Sequence, residues 1–446
     1  MVDAEPGGRE TSAFTYDPSW IARAEAFAIA PGIPLSLVPI YTNKANDGSS
    51  LPAPIADGTP DSWGRAIIKM ALGGRTLTDL DLLEADDFLR SGALRYFDSP
   101  DKNATALAPP KSGPEQVIIP RLLDLEQIVV EARAFENDPT LYRENRARTV
   151  GGDLLRNAIG SLGGARPKVN ARAEDGSLWI VKLAKIDDQY AIARAEVMAL
   201  RLAERVGISA SKADVLPSSL QFPVAIVKRF DRNDKGARIP FISGQTFMGL
   251  PGAEPGNYVD VAMQMRVWSK EPKADMAELF RRMMFNVLIQ NTDDHLRNLG
   301  FLYRGAGKWG LSPAFDVNPV PEIGTRLKTA ISELHGNVLD IDAVIDAAPF
   351  FDVDTSAAKS IALAMATTIK NEWRAIGSKV AMTAAELRTI APAMDNAQVE
   401  RALALGQPII PSVAGLGDAD ADRRQEATKE TVAKKPSTAR QRNSAR

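Results

Sequence analysis

Apolar residues recur at helical spacing through Leu279, Phe280, Met283, Met284, Val287 and Leu288, so LFRRMMFNVLI predicts a helix with one buried face. YAIARAEVMALRLAERVGI predicts a second helix, with Gly207 as its stop. GSLWIVKLA and FPVAIVKRFDR are short apolar runs that read as buried strands, the latter running out into charge. Residues 14 to about 97 hold short apolar pieces broken by proline and glycine, such as GIPLSLVPI and LPAPIADGTPDSWGR, the texture of a small mixed α/β unit. Residues 98–116 form a polar, proline-bearing connector, and a helical pattern follows near LLDLEQIVVEARAFE, on to about Leu155. From 276 the chain is mainly helical, interrupted by WGLSPAFDVNPVP. From about 417 apolar residues become scarce, which predicts a disordered tail that opens acidic and turns basic.

Composition narrows the class. At 446 residues the chain is too long for one core, so two or three domains are expected. The 45% apolar and 25% charged fractions are those of an ordinary soluble globular protein, and a net charge of −2 argues against a polycation seeking nucleic acid. The absence of cysteine excludes disulfides, thiolate zinc sites and a cysteine nucleophile. His295 and His335 are the only histidines, so multi-histidine metal sites are excluded and any Ser-His-Asp hydrolase would rest on one of them. The first residues lack an apolar signal core, and no apolar run reaches the roughly 18 residues of a membrane span. A cytoplasmic protein without membrane contact is expected.

The buried helix ends in QNTDDHLRN: two carboxylates, an imidazole and an amide, which packing does not ask for. A helix cap with a solvated loop is the plain explanation, and three further pieces weigh against it. SLGGARPK is flexible enough to bring backbone N–H groups close to phosphate, although glycine pairs mostly mark turns. Lys182, flanked by Ile180, Val181 and Leu183, is either an outward-facing strand lysine or a buried one that needs an anionic partner, which Glu196 on the next helix can supply. Asp293 and Asn298 have the D-x-x-x-x-N spacing of a phosphotransferase loop, and Asp316 in LSPAFDVNP can supply a second magnesium ligand. Each is ordinary alone; the order glycine loop, lysine, D-x4-N and later aspartate is not. Asp294 reads as a cap or as a partner of Arg297, and His335 as a surface residue with no visible partner. Trp20 and Trp63 read as core or interface aromatics.

SLGGARPK, RFDR, NTDDHLRN and LSPAFDVNP, with FTYDPSWI and LPAPIADGTPDSWGR nearer the start, resemble the HipA-type serine/threonine kinases of bacterial type II toxin–antitoxin modules, over roughly Phe14 to Glu400. The resemblance implies an α+β, two-lobed, protein-kinase-like fold: an N-terminal subdomain at 14–110, a kinase domain with a mostly helical C-terminal lobe at 145–400, and a basic tail at 417–446. It implies ATP and Mg2+ as cofactors and Asp293 as the catalytic aspartate. Gly163, Gly164, Ala165, Arg166, Pro167 and Lys168 would form the phosphate loop and Lys182 would pair with phosphate. Lys228, Arg229 and Phe230 would face the adenine. His295, Leu296, Arg297, Asn298, Phe315 and Asp316 would lie against the nucleotide, with Asn298 and Asp316 on the metal. Ser161 matches the family's autophosphorylated serine. A HipB-like helix-turn-helix antitoxin is implied as partner, with DNA reached only through it, and the family's targets include aminoacyl-tRNA synthetases. The chain is expected to lack the short β-hairpin with which relatives begin. Two other functions fit the same residues less well: a catalytically silent, antitoxin-binding corepressor, and a phosphotransferase with a small-molecule substrate.

Overall fold

The computed structural model describes residues 2–4, 10–43, 49–85, 88–101, 104, 106–107, 120–122, 125–145, 155, 166–216, 224–250, 252, 254–322 and 324–406. The chain divides into two units, Met1–Leu405 and Gly406–Arg446, and the first holds every element named below. Ser161, Gly163, Gly164, Ala165 and the basic tail at 417–446 lie outside the described residues.

The first sheet is antiparallel and three-stranded, in the order β1 (Val2–Ala4), β2 (Glu10–Phe14), β3 (Ile40–Asn43). β1 pairs with β2 as a hairpin, Val2 opposite Ser12. This corrects the expectation that the hairpin is missing. Its strands are short and polar, so no alternating apolar pattern announces them. Helix α1 (Ser62–Ala71) follows, capped by Asp61, whose carboxylate accepts the Gly64 N–H.

The second sheet has the order β4 (Lys168–Arg172), β5 (Leu178–Leu183), β7 (Val224–Lys228), β6 (Ala213–Leu216), with every pairing antiparallel. Strand side chains alternate between faces. Val169, Ala171, Val181, Leu183, Val224 and Ile226 therefore point one way, into a core shared with Trp63, Ile67 and Met70 of α1 and with Ile128, Val129 and Phe135 of helix α2 (Leu125–Asn137). The opposite face carries Lys168, Ile180, Lys182, Ala225 and Val227. Ala225 and Val227 join the larger core with Val197 and Met198 of helix α3 (Ile192–Arg205). Gly207 ends that stretch at a φ of 80°, a conformation glycine adopts without a Cβ penalty.

The rest is mainly helical. Helix α4 (Tyr258–Trp268) and helix α5 (Pro272–Leu288) pack into the larger core, where Leu279, Phe280, Met283, Met284, Val287 and Leu288 are all buried as their spacing requires. Helix α6 (Thr355–Lys379) is the longest and adds Ile369 and Trp373 to that core. A third antiparallel sheet, β8 (Phe241–Ser243), β9 (Gly300–Gly305) and β10 (Lys308–Leu311), frames the segment after α5. The protein is thus α+β and two-lobed, a sheet-bearing part stacked on a helical part. No described helix is long and apolar enough to cross a membrane.

Candidate active site

A cleft of about 950 Å³ lies between the second sheet and the segment that follows α5. Its centre is a lysine held by two carboxylates: Lys182 Nζ donates to Glu196 Oε1 at 2.5 Å and to Asp316 Oδ1 at 2.9 Å. Burial opposes charge on all three groups. The two carboxylates nonetheless raise the Lys182 pKa, and Lys182 with Lys168 holds Asp316 well below the usual carboxylate range, while burial leaves Glu196 raised. Asp316 has a φ of 55°, rare outside glycine, and Asn318 donates to its Oδ1 at 3.0 Å. Among the described residues its other oxygen, Oδ2, carries no hydrogen bond. A fixed, ionised carboxylate with a spare hard oxygen is the kind of donor magnesium takes.

The segment after α5 is pinned from several sides. Asn291 accepts the Asn318 N–H at 3.2 Å and donates to Asn286 at 3.0 Å. Asp294 is fully engaged: its Oδ2 accepts from the Tyr258 hydroxyl and from Asn286 Nδ2 at 2.7 Å, and its carbonyl accepts from Thr329 at 2.6 Å. Burial raises its pKa. Arg297 donates instead to the Gly252 carbonyl at 2.8 Å, so the expected Asp294–Arg297 pairing is replaced by an anchor to α4 and α5. Asp293 is exposed, and Asn298, buried, donates to the Asp293 carbonyl at 3.1 Å. The D-x4-N spacing thus corresponds to one closed turn, with Asn298 and His295 lining the cleft, while Asp293 is exposed and is not among the residues that line it.

Of the expected site residues, Lys168, Lys182, Lys228, Arg229, Phe230, His295, Arg297, Asn298, Phe315 and Asp316 line this one cleft. Phe315 and Phe241 flank Phe230 at ring-centroid distances of 5.5 and 6.0 Å, giving an apolar wall suited to a flat ring. Leu296 is buried beneath the loop. Arg166 pairs with Asp188 at 2.8 Å, and Pro167 accepts the Leu183 N–H through its carbonyl. The Arg229 guanidinium is committed to Asp231, Asn170 and the Leu89 and Arg90 carbonyls, so it holds the wall of the cleft together. The sequence reading missed Asp57, Asp61 and Arg65 of the N-terminal subdomain, which also line the cleft. The DSWGR stretch carried the signal of a helix start but not of its destination.

His335, read as a surface residue without a partner, bonds Ser332 Oγ through Nδ1 at 2.8 Å and Asp346 Oδ2 through Nε2 at 3.0 Å. Ser332 is buried and accepts the His335 backbone N–H, so this chain closes a turn and presents no nucleophile.

Fold and cleft together define a kinase-like architecture. Residues 160–373 match the HipA-like C-terminal domain family. Two Sinorhizobium fredii proteins named as presumed kinases are similar: Y4dM, 30% identical over 156 residues, and Y4mE, 25% identical over 325 residues. The first match spans 32% of this chain and 37% of Y4dM; the second spans 68% of this chain and 71% of Y4mE. The HipA of the Shewanella oneidensis MR-1 toxin–antitoxin system, solved with HipB and operator DNA, shares the fold at a TM-score of 0.60 and 16% identity, over 91% of this chain and 94% of that one.

Proposed function

We propose that this chain is an ATP-dependent serine/threonine protein kinase, the cytoplasmic toxin of a type II toxin–antitoxin module. The observation that carries the reading is the Glu196–Lys182–Asp316 bridge in a cleft that also holds Asn298, whose side chain is bonded to the backbone of the exposed Asp293. Kinases use a strand lysine paired with a helix glutamate to hold ATP phosphates, and an asparagine and an aspartate to hold magnesium. Magnesium-ATP, when bound, supplies the γ-phosphoryl group. Asn298 and Asp316 would hold the metal, and Lys182 and Lys168 the phosphates. Lys228 to Phe230 and Phe315 would bound the adenine. Asp293 orients the acceptor hydroxyl and takes its proton, and its exposure suits a serine arriving on another protein. Gly163 to Lys168 as the phosphate loop and Ser161 as an autophosphorylated serine follow from the family resemblance. So do the domain limits 14–110 and 145–400. The Shewanella complex supports a HipB-like antitoxin as partner, with DNA contacted through it. An aminoacyl-tRNA synthetase is the first substrate class to try.

The test is phosphotransfer from labelled ATP with magnesium, comparing wild type with Asp293→Ala and locating phosphate by mass spectrometry. Label on Ser161 or on an added synthetase, lost in Asp293→Ala, is the expected result. No label on chain shown to be unphosphorylated beforehand, with candidate substrates present, would overturn it.

A further inference from the structure

Lys168 and Lys182 are direct cross-strand partners on β4 and β5, so two ammonium groups share one face of the sheet. Like charges placed opposite each other destabilise a sheet unless neutralised. Lys182 has Glu196 and Asp316. Lys168 is buried, and a carboxylate in contact with it comes from a different part of the chain: Asp61 Oδ2, 3.4 Å away on a side chain that is itself covered. The two oxygens of Asp61 divide their work, because Oδ1 caps α1 by accepting the Gly64 N–H at 2.7 Å while Oδ2 faces Lys168.

From this geometry we infer that Asp61 is a positioning residue for Lys168, so that the N-terminal subdomain completes the nucleotide cleft. The inference rests on the kinase reading above. At 3.4 Å the contact is one between charges rather than a tight hydrogen bond, so Asp61 places the ammonium without competing strongly with a phosphate. Among the described residues, the charged groups that act on Lys168 include Asp61, Asp316, Lys182 and Glu196. Burial lowers the Lys168 pKa against the pull of Asp316 and Asp61, so Asp61 also helps to keep the lysine charged. Asp61 can act this way because its subdomain is held in place. Asp57 accepts the Ser243 N–H at 2.8 Å and its hydroxyl at 2.9 Å, and Arg229 grips the carbonyls of Leu89 and Arg90.

Asp61→Asn in the full chain separates the two roles, because asparagine caps a helix as well as aspartate but carries no charge. ATP affinity is measured by calorimetry, and KM and kcat by phosphotransfer. The expected result is ATP binding weakened on the order of 10-fold, KM raised to match, and kcat changed by less than about 3-fold. Asp61→Ser, also a good cap, gives the same loss. In a Lys168→Met background, Asp61→Asn adds less than about 2-fold, because its effect passes through that lysine. A purely structural role for Asp61 would instead give effects that multiply in the double variant. Undiminished ATP affinity in Asp61→Asn, or multiplying effects, overturns the inference. If Asp316→Asn loses nucleotide while Asp61→Asn keeps it, the kinase reading stands and only the role of Asp61 falls. A wild type that binds no nucleotide overturns both.

Discussion

Adjacent residues of like chemistry have been given opposite work. Asp293 and Asp294 are one peptide apart, yet the first is exposed and the second is half-buried, its carboxylate bonded to Tyr258 and Asn286. Asp293→Ala should therefore lower phosphotransfer by roughly 100- to 10,000-fold, the usual worth of a positioned acid–base group, and leave the denaturant midpoint in place. Asp294→Ala should do the reverse first. It strands a buried hydroxyl and a buried amide, a loss of about 2–4 kcal/mol in urea unfolding. Equal stability losses in the two variants would contradict the division. The sequence pointed to Asp293 through its spacing to Asn298. It could not show what Asp294 is bonded to, because Tyr258 is separated from it by the rest of α4 and the whole of α5. The same limit hid Asp61: a cap is legible locally, but the lysine that its second oxygen meets is set by tertiary packing.

At the scale of elements, strand period and helix period were both legible. Alternation placed Lys182 opposite Val181 and Leu183, and the 3.6-residue stripe of α5 faced the core as expected. The β1–β2 hairpin was not legible, since its stability comes from pairing with β3 rather than from an apolar pattern. What fixes the segment between α5 and β9 is backbone contact, which composition does not reveal. Gly244 donates its N–H to the Leu299 carbonyl at 2.6 Å, and a Cβ there would stand 2.6 Å from the Leu296 carbonyl oxygen and 3.1 Å from the Leu299 Cβ. Backbone cannot swing aside as a side-chain tip does. Gly244→Ala should cost about 1–3 kcal/mol and displace the turn that carries His295 and Asn298. The expected readout is a fall in kcat and in ATP affinity together with a lower melting temperature; wild-type kinetics in this variant would show that the segment tolerates the shift.

For the whole molecule, the decisive contact is one that the sequence reading assigned to the nucleotide. RFDR places Arg229 and Asp231 at a strand end, and the structure uses them to fasten the sheet to the N-terminal subdomain: Arg229 donates to the Leu89 and Arg90 carbonyls, and Asp231 accepts the Gly92 N–H at 2.8 Å. Burial alone would raise the Asp231 pKa, but Arg229, Arg232 and the Gly92 amide bring it down to about 2. An unfolded aspartate titrates near ~3.9, so the folded group is the stronger acid. Its contribution to stability is fully present above the unfolded pKa and is lost as pH falls toward the folded one. The window is therefore roughly pH 5 down to pH 2, and the amount is about 2 kcal/mol. Urea unfolding of the wild type at pH 6, 4 and 3 should show stability dropping through this range. Asp231→Asn should start lower at pH 6, because Arg229 and Arg232 lose their counter-charge, and should then depend on pH less steeply by up to about one proton. Because the same contacts hold Asp61 beside Lys168, ATP affinity should decline in that variant at neutral pH as well. An unchanged acid slope would mean that Asp231 is not the group through which acid loosens the two parts of the cleft.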